Sequence, residues 1–383
     1  MGIYLDYNAS APIDFRVVDV MIDVYKHNVG NSDSRTHDYG ENARIIVENA
    51  RKQVAKLLDV PSNDVFFTSG ATESNNIVIQ GLKEYANTTG KKHMITTAIE
   101  HKAVLETAKY MEKNGWSLNF VSPELSGEID AKKILNLVRE NTVLVSMMHV
   151  NNETGIIMPV KEIGDELNKS DTLFHIDATQ SCGKLVDELQ NTQYDMMSFS
   201  AHKLYGPQGV GALILRRKNY KLPPVKPIMF GGQQEHGISP GTVPVALVAG
   251  FGKACEIALN EYKKDENRNV QIKELIIDLL TQSGLKYRIN GNSDHCISST
   301  LNIQLEGVSS EALMLSSKNY CGISNGSACT SNSYAPSYVL SAMGISEDDV
   351  DQSIRLSWGR NVNLEELKVN FKGLLDIAKE FVC

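Results

Sequence analysis

The sequence predicts an α/β protein: a mostly parallel sheet of seven strands in a large domain, followed by a smaller α+β domain. Three observations predict this. Short apolar runs alternate with amphipathic helical patterns from position 65 to about position 217, and continuous apolar strands separated by helices belong to a parallel sheet covered on both faces. The texture changes after about Gly252, where a long charged helical stretch leads into mixed segments. Polar residues with chemical potential stand directly after the apolar runs, where open α/β sheets bind ligands.

The elements follow in order. Val65-Phe66-Phe67-Thr68 reads as a strand and 74–86 as an amphipathic helix. His93–Thr97 is a second strand, followed by a helix over 103–114. The strand 118–122, the helix 131–140, the strand 143–150 and the helix 160–169 come next. The strands 172–177, 196–201 and 211–217 complete the set. A helix over roughly 253–283 then links to STLNIQL, a Gly/Ser/Asn-rich loop at 322–333, IRLSWG and a terminal helix. The domain division is therefore 15–252 for the large unit, with 1–14 and 253–383 forming the smaller one.

Composition narrows the function. The chain has 383 residues, 42% hydrophobic and 22% charged, with a formal net charge of −8. A core of this size needs no disulfide or metal staple. A mildly acidic chain has no electrostatic footprint for tracking phosphates, so direct nucleic-acid binding is not expected. No signal peptide or membrane span is apparent. The six cysteines are scattered without a CxxC pair, which speaks against a metal site and fits reduced thiols in the cytoplasm.

Five segments carry candidate chemistry, each with a plainer reading beside it. Thr68-Ser69-Gly70-Ala71-Thr72-Glu73 joins a strand to a helix; its free amides suit a phosphate, or Thr72 or Ser74 merely caps the helix. Asp177 ends an apolar strand and either turns the chain or meets a buried cation such as a protonated pyridine nitrogen. Lys203 follows another strand in a Gly-flanked turn, with Ser200 and His202 beside it; it is a loop lysine or a Schiff-base lysine. Phosphate cradle, ring-nitrogen partner and lysine in chain order on strand ends describe a pyridoxal-phosphate site. His101, at a strand–helix junction, starts a helix or stacks on the ring and shuttles protons. Cys329 lies among small polar residues, which suggests an accessible thiol; Cys182, Cys255, Cys296 and Cys321 lie in or beside apolar segments and Cys383 ends the chain.

The segments SGATES (69–74), EHKAV (100–104), HVNNETG (149–155), HIDATQSCGK (175–184), SFSAHKLYGPQGVGAL (198–213), NGSACTS (325–331) and SIRLSWGR (353–360) together resemble the NifS/IscS group of cysteine desulfurases. This group lies within the class V aminotransferase superfamily and has the fold type I of pyridoxal-phosphate transferases. The resemblance implies that Lys203 anchors the cofactor, Asp177 pairs with its ring nitrogen, Gln180 contacts its phenolic oxygen and His101 stacks on the ring. It implies that Asn152 lies near that oxygen and the substrate. Ala71, Thr72, Ser200 and His202 are implied to bind the phosphate, joined by Thr242 from the neighbouring subunit of a homodimer. Arg355 is implied to clamp the carboxylate of L-cysteine, and Cys329 to take the sulfur as a persulfide and pass it to an acceptor protein. The destination is iron–sulfur assembly or thiolation of a nucleic acid or cofactor.

Three features depart from the family pattern. A GNPSS-like turn reads Gly30-Asn31-Ser32-Asp33-Ser34, and the arginines expected before Thr242 are replaced by His236 and Ser239. The sequence also stops at Cys383, soon after the predicted final helix, short of the longer C-terminal tail that docks a scaffold protein in IscS-like enzymes. Two other functions share most of these residues: an aminotransferase or selenocysteine lyase without need of Cys329, and a silent docking protein that keeps the fold.

Overall fold

The computed structural model describes residues 2–326 and 336–382. Twelve strands occur among them: β1 (Ile3–Tyr4), β2 (Val65–Thr68), β3 (His93–Thr97), β4 (Ser117–Val121), β5 (Thr142–Met148), β6 (Leu173–Asp177), β7 (Met196–Ser200), β8 (Gly211–Leu215), β9 (Tyr287–Ile289), β10 (Thr300–Leu305), β11 (Cys321–Gly322) and β12 (Ser353–Ser357). Seven form the central sheet in the order β2-β8-β7-β6-β5-β3-β4. The pairs from β4 to β7 are parallel, while β8 runs antiparallel to both β2 and β7.

Alternate residues along each strand serve different faces, which explains the unbroken apolar runs. On β2, Val65 and Phe67 pack with α1 (Phe15–His27) and α2 (Asp38–Leu58). Phe66 points the other way, into the core shared with α3 (Ala71–Gly81), α4 (Lys83–Thr89) and α5 (Lys102–Lys113). On β8, Ala212 and Ile214 join the first core and Leu213 and Leu215 the second.

Five expectations need correction. The helix predicted over 74–86 starts at Ala71 and is broken at Leu82, because the Gly81 carbonyl accepts the amide of Lys226 at 2.9 Å. The helix predicted over 131–140 stops at Leu135. The Arg139 amide instead donates to Thr142 Oγ1, turning the chain into β5. The strands predicted to end at 150 and 217 end at Met148 and Leu215. The long helix runs Val245–Ser283, starting eight residues before the predicted position. Packing of Val245–Ala258 in the first core outweighs the helix cost of Gly250 and Gly252.

Position 252 therefore lies within a continuous helix. Its first turns belong to the core of the large sheet, whereas Ile272, Ile276, Leu279 and Leu280 belong to a separate cluster. That cluster covers the antiparallel sheet β9-β10-β12 and takes in Ile3, Leu5, Tyr7 and Ala11 from the N-terminus, where β1 pairs with β11.

Candidate functional site

A cavity of about 360 Å³ opens at the C-terminal ends of β5, β6 and β7. Met148, Asp177 and Ser200 are the last residues of those strands, and all three line it. Asn8 and Ala9 enter from the N-terminal segment, Arg355 from β12, and Ala71, Thr72 and His101 from two helix starts.

One end of the cavity is built for an anion. The cap position of α3 is Gly70, which offers no side chain to the helix start, so the positive end of the helix faces this part of the cavity. The Ala71 amide donates to Ser200 Oγ at 2.8 Å, joining the helix start to the end of β7. Neither Thr72 nor Ser74 caps the helix: Thr72 faces the cavity, and Ser74 Oγ bonds Thr68 Oγ1 at 2.8 Å. His202 lines the same end, its Nδ1 3.2 Å from Ser10 Oγ. Burial, aided by the Lys203 charge, pushes its imidazole down to about 4.

Asp177 lies in the cavity floor with 4% of its surface exposed. Its Oδ1 accepts the Thr179 amide at 3.0 Å and its Oδ2 accepts Asn75 Nδ2 at 2.8 Å. The residue shapes the turn, and it also presents a carboxylate to the cavity. It has no ion-pair partner among the described residues, and a buried carboxylate favours a cation. On the same strand His175 bridges Ser146 Oγ at 2.8 Å and Ser198 Oγ at 2.9 Å, linking β6 to both neighbours.

Lys203 follows β7 in a single short turn. Its Nζ donates to the carbonyls of Asn8 and Ala9, each at 2.6 Å. Gln180 Nε2 donates to the same Asn8 carbonyl at 3.0 Å, and its Oε1 receives Lys184 Nζ at 3.4 Å. Gln180 therefore stands beside the lysine with its amide oriented. The polar atoms Asn152 Oδ1 and Thr179 Oγ1 are buried on the cavity wall without a partner among the described residues.

His101 caps α5: its Nδ1 accepts the Ala103 amide at 3.1 Å, so the neutral ring carries its proton on Nε2. Behind it Glu100 is fully buried, and Oε1 accepts Thr97 Oγ1 at 2.6 Å and the Met148 amide at 3.0 Å. Desolvation pushes this carboxyl up to about 8, with the Asp177 charge adding to it. On the far side, Arg355 Nη1 donates to the Asn152 carbonyl at 3.0 Å and Nη2 to Asp6 Oδ1 at 2.6 Å.

These features meet the needs of pyridoxal phosphate: an uncapped helix start for phosphate, a buried acid lacking a cation, orphaned polar atoms on the walls and a lysine at the rim. Ala71, Thr72, His101, Asn152, Asp177, Gln180, Ser200, His202, Lys203 and Arg355 all line one cavity. Thr242 does not; it is exposed at the surface. Cys329 lies outside the described residues. Sequence reasoning gave no role to Asn8 and Ala9, whose carbonyls hold Lys203, or to Asn75 and Asp6. The YLDYNASAP and SGATESNN stretches were the available signal, but backbone carbonyls leave no trace in residue type.

Two departures from the family pattern touch each other. Gln234 Nε2 donates to Asp33 Oδ2 at 2.7 Å, tying the altered turn at 30–34 to the altered segment before Thr242. Ser239 Oγ donates to Glu73 Oε1 at 2.8 Å, and Glu73 Oε2 accepts the Ser69 amide at 2.6 Å, next to the anion end. A hydrogen bond thus stands where an arginine was expected. Glu235 anchors the segment through Arg51, at 2.7 and 2.8 Å, and the Phe67 amide.

Three of the other cysteines differ from a reactive thiol. Burial pushes the thiols of Cys182 and Cys255 well up, and that of Cys321 to about 12. Among the described residues no cluster of three metal-ligating side chains occurs, and no helix is long and apolar enough to cross a membrane.

Comparisons with known proteins agree with this geometry. Residues 3–369 match the family model of aminotransferase class-V. The cysteine desulfurase IscS of Anaeromyxobacter sp. is 41% identical over 374 residues, covering 95% of this chain and 89% of that protein. A solved NifS-like protein superposes with a TM-score of 0.90 at 33% identity, covering 99% of this chain and all of that one. The structure of SspA in complex with cysteine superposes with a TM-score of 0.80 at 33% identity, covering 92% and 98%.

Proposed function

The chain belongs to the class-V aminotransferase family and, within it, to the cysteine desulfurases, and from this membership we propose that it moves sulfur from L-cysteine to a persulfide on Cys329 and then to an acceptor protein. The observation that carries the reading is the convergence of Lys203, Asp177 and Arg355 on one cavity beside an uncapped helix start. The family works with pyridoxal phosphate, which supplies an electron sink for charge developing at the substrate Cα.

The residues divide the remaining work. Ala71, Thr72, Ser200 and His202 hold the phosphate, with Thr242 of the partner subunit completing the contact in a homodimer. Asp177 keeps the ring nitrogen protonated and Gln180 donates to the phenolic oxygen. His101 packs on the ring and offers Nε2 for proton transfer. Lys203 would anchor the cofactor, and its Nζ would take the proton from the substrate Cα. Asn152 and Arg355 orient the substrate, Arg355 through its carboxylate. The Cys329 thiolate attacks the substrate sulfur; the S–S bond forms as the C–S bond breaks, the electron pair stays on the three-carbon fragment, and that fragment takes up one proton at Cβ and regains one at Cα from Lys203 Nζ before leaving as alanine.

The acceptor protein serves iron–sulfur assembly or thiolation, in a reducing compartment such as the cytoplasm. With a net charge of −8 on the chain, contact with any nucleic acid falls to that acceptor. Incubation with L-cysteine is expected to release alanine and leave a persulfide on Cys329, detected by mass spectrometry. Cys329→Ser is expected to lose the persulfide and at least about a hundredfold in kcat, a loss of ~2.7 kcal/mol of barrier lowering. Full activity of that variant with a keto-acid acceptor would turn the reading to an aminotransferase.

A further inference from the structure

Arg355 projects from β12 with 3% of its surface exposed. So buried a guanidinium takes its direction from the acceptors around it, because five donors in a rigid fork must find partners. Two partners are fixed. One is the Asn152 carbonyl, part of the backbone. The other is Asp6 Oδ1, at 2.6 Å. Arg355 Nε is buried and has no acceptor among the described residues.

Asp6 is itself held from outside the cavity. Its backbone bridges to Ser357, two residues beyond Arg355 on the same strand, and its carbonyl accepts Tyr4 Oη at 2.8 Å. Its side chain does not line the cavity, so it reaches a bound substrate only through Arg355. Glu153, a second buried acid that feels the Arg355 charge, is already engaged by Ser337 Oγ.

We propose that Asp6 is a positioning residue for substrate recognition: its carboxylate fixes the Arg355 guanidinium so that the donors left over face the bound α-carboxylate. This rests on the reading that Arg355 receives that carboxylate. The role asked of Asp6 is the placement of its acceptor oxygen, which sets the donor array before substrate arrives.

Two variants separate position from charge in the holoenzyme. Asp6→Glu keeps the charge but moves the acceptor by about 1.5 Å, one C–C bond length. Asp6→Asn removes the charge and keeps an oxygen in place. Calorimetric titration with the product L-alanine is compared with L-alaninamide, which lacks the carboxylate, alongside kinetics with L-cysteine. In Asp6→Glu the Kd for L-alanine and the KM for L-cysteine are expected to rise about tenfold, with kcat within about twofold. The Kd for L-alaninamide should change less than about twofold, and Asp6→Asn should stay within about threefold of the parent throughout. The proposal is overturned by an unchanged Asp6→Glu enzyme, by an equal loss in Asp6→Asn, or by equal weakening of both ligands. Arg355→Gln tells the two readings apart. If it leaves L-alanine binding and KM at parent values, the carboxylate assignment fails; if it weakens both while Asp6→Glu does not, only the role of Asp6 falls.

Discussion

Glu100 carries a carboxyl that water does not reach. Oε1 accepts two hydrogen bonds, while Oε2 is buried with no partner among the described residues, an arrangement that suits the protonated acid. The carboxyl is pushed up from its ordinary 4.5 to about 8, first by desolvation. Below 4.5 the folded and unfolded chains both hold the proton. Between 4.5 and about 8 the folded chain keeps a proton that the unfolded chain has lost, so stability falls as pH rises across that interval. A glutamine reproduces the protonated acid: its oxygen accepts the same two bonds. Glu100→Gln is expected to melt as the parent does at low pH and increasingly above it toward pH 8, by about 1–2 °C for each kcal/mol recovered. Parallel melting curves at every pH would show that the acid does not titrate in the fold.

At the scale of elements, the strands were legible and their partners less so. His93–Thr97 is a strand in both sequence and structure because all five side chains are buried between helices. The reversal of β8 follows from chain length, since ten residues between β7 and β8 are too few for a parallel crossover. The break at Leu82 depends on Lys226, far away in sequence, and could not be read locally. Site residues with reactive side chains were legible for the same reason that Asn8 and Ala9 were not: a lysine announces its chemistry and a carbonyl does not. Gly211 shows how one element shapes the site. It pairs with Thr68 on one side and Ser200 on the other, and a Cβ there would lie 2.5 Å from the Phe199 carbonyl oxygen and 2.7 Å from Gly70 Cα. Both obstacles are backbone, and Gly70 is the cap of the helix that faces the proposed phosphate position. Gly211→Ala is expected to cost about 1–3 kcal/mol of stability. Apoenzyme reconstituted with pyridoxal phosphate should show about tenfold or greater loss of affinity by absorbance titration. Parent affinity would mean that the cradle moves freely with β8.

For the whole molecule, the informative residue is the one outside the cavity. Thr242 is exposed, while ten other proposed cofactor and substrate residues line one space. It ends a segment pinned through Glu235 to Arg51 and through Ser239 to Glu73, so its backbone is held at the surface rather than folded inward. A site completed by Thr242 of the partner subunit makes a prediction that a monomeric site cannot meet. Two chains, Lys203→Ala and Thr242→Ala, are each expected to be inactive or strongly impaired as homodimers, because every site carries one lesion. In a mixed dimer the lesions redistribute by symmetry. The site on the Lys203→Ala chain receives both, since its threonine comes from the other variant. The site on the Thr242→Ala chain receives neither, because its own lysine is intact and its partner supplies an unaltered threonine. Co-expressed, differently tagged chains purified as the mixed dimer should therefore recover about half the parent activity and one cofactor per dimer. If Thr242 acted within its own chain, the mixed dimer would hold one lesion per site and stay as impaired as its parents.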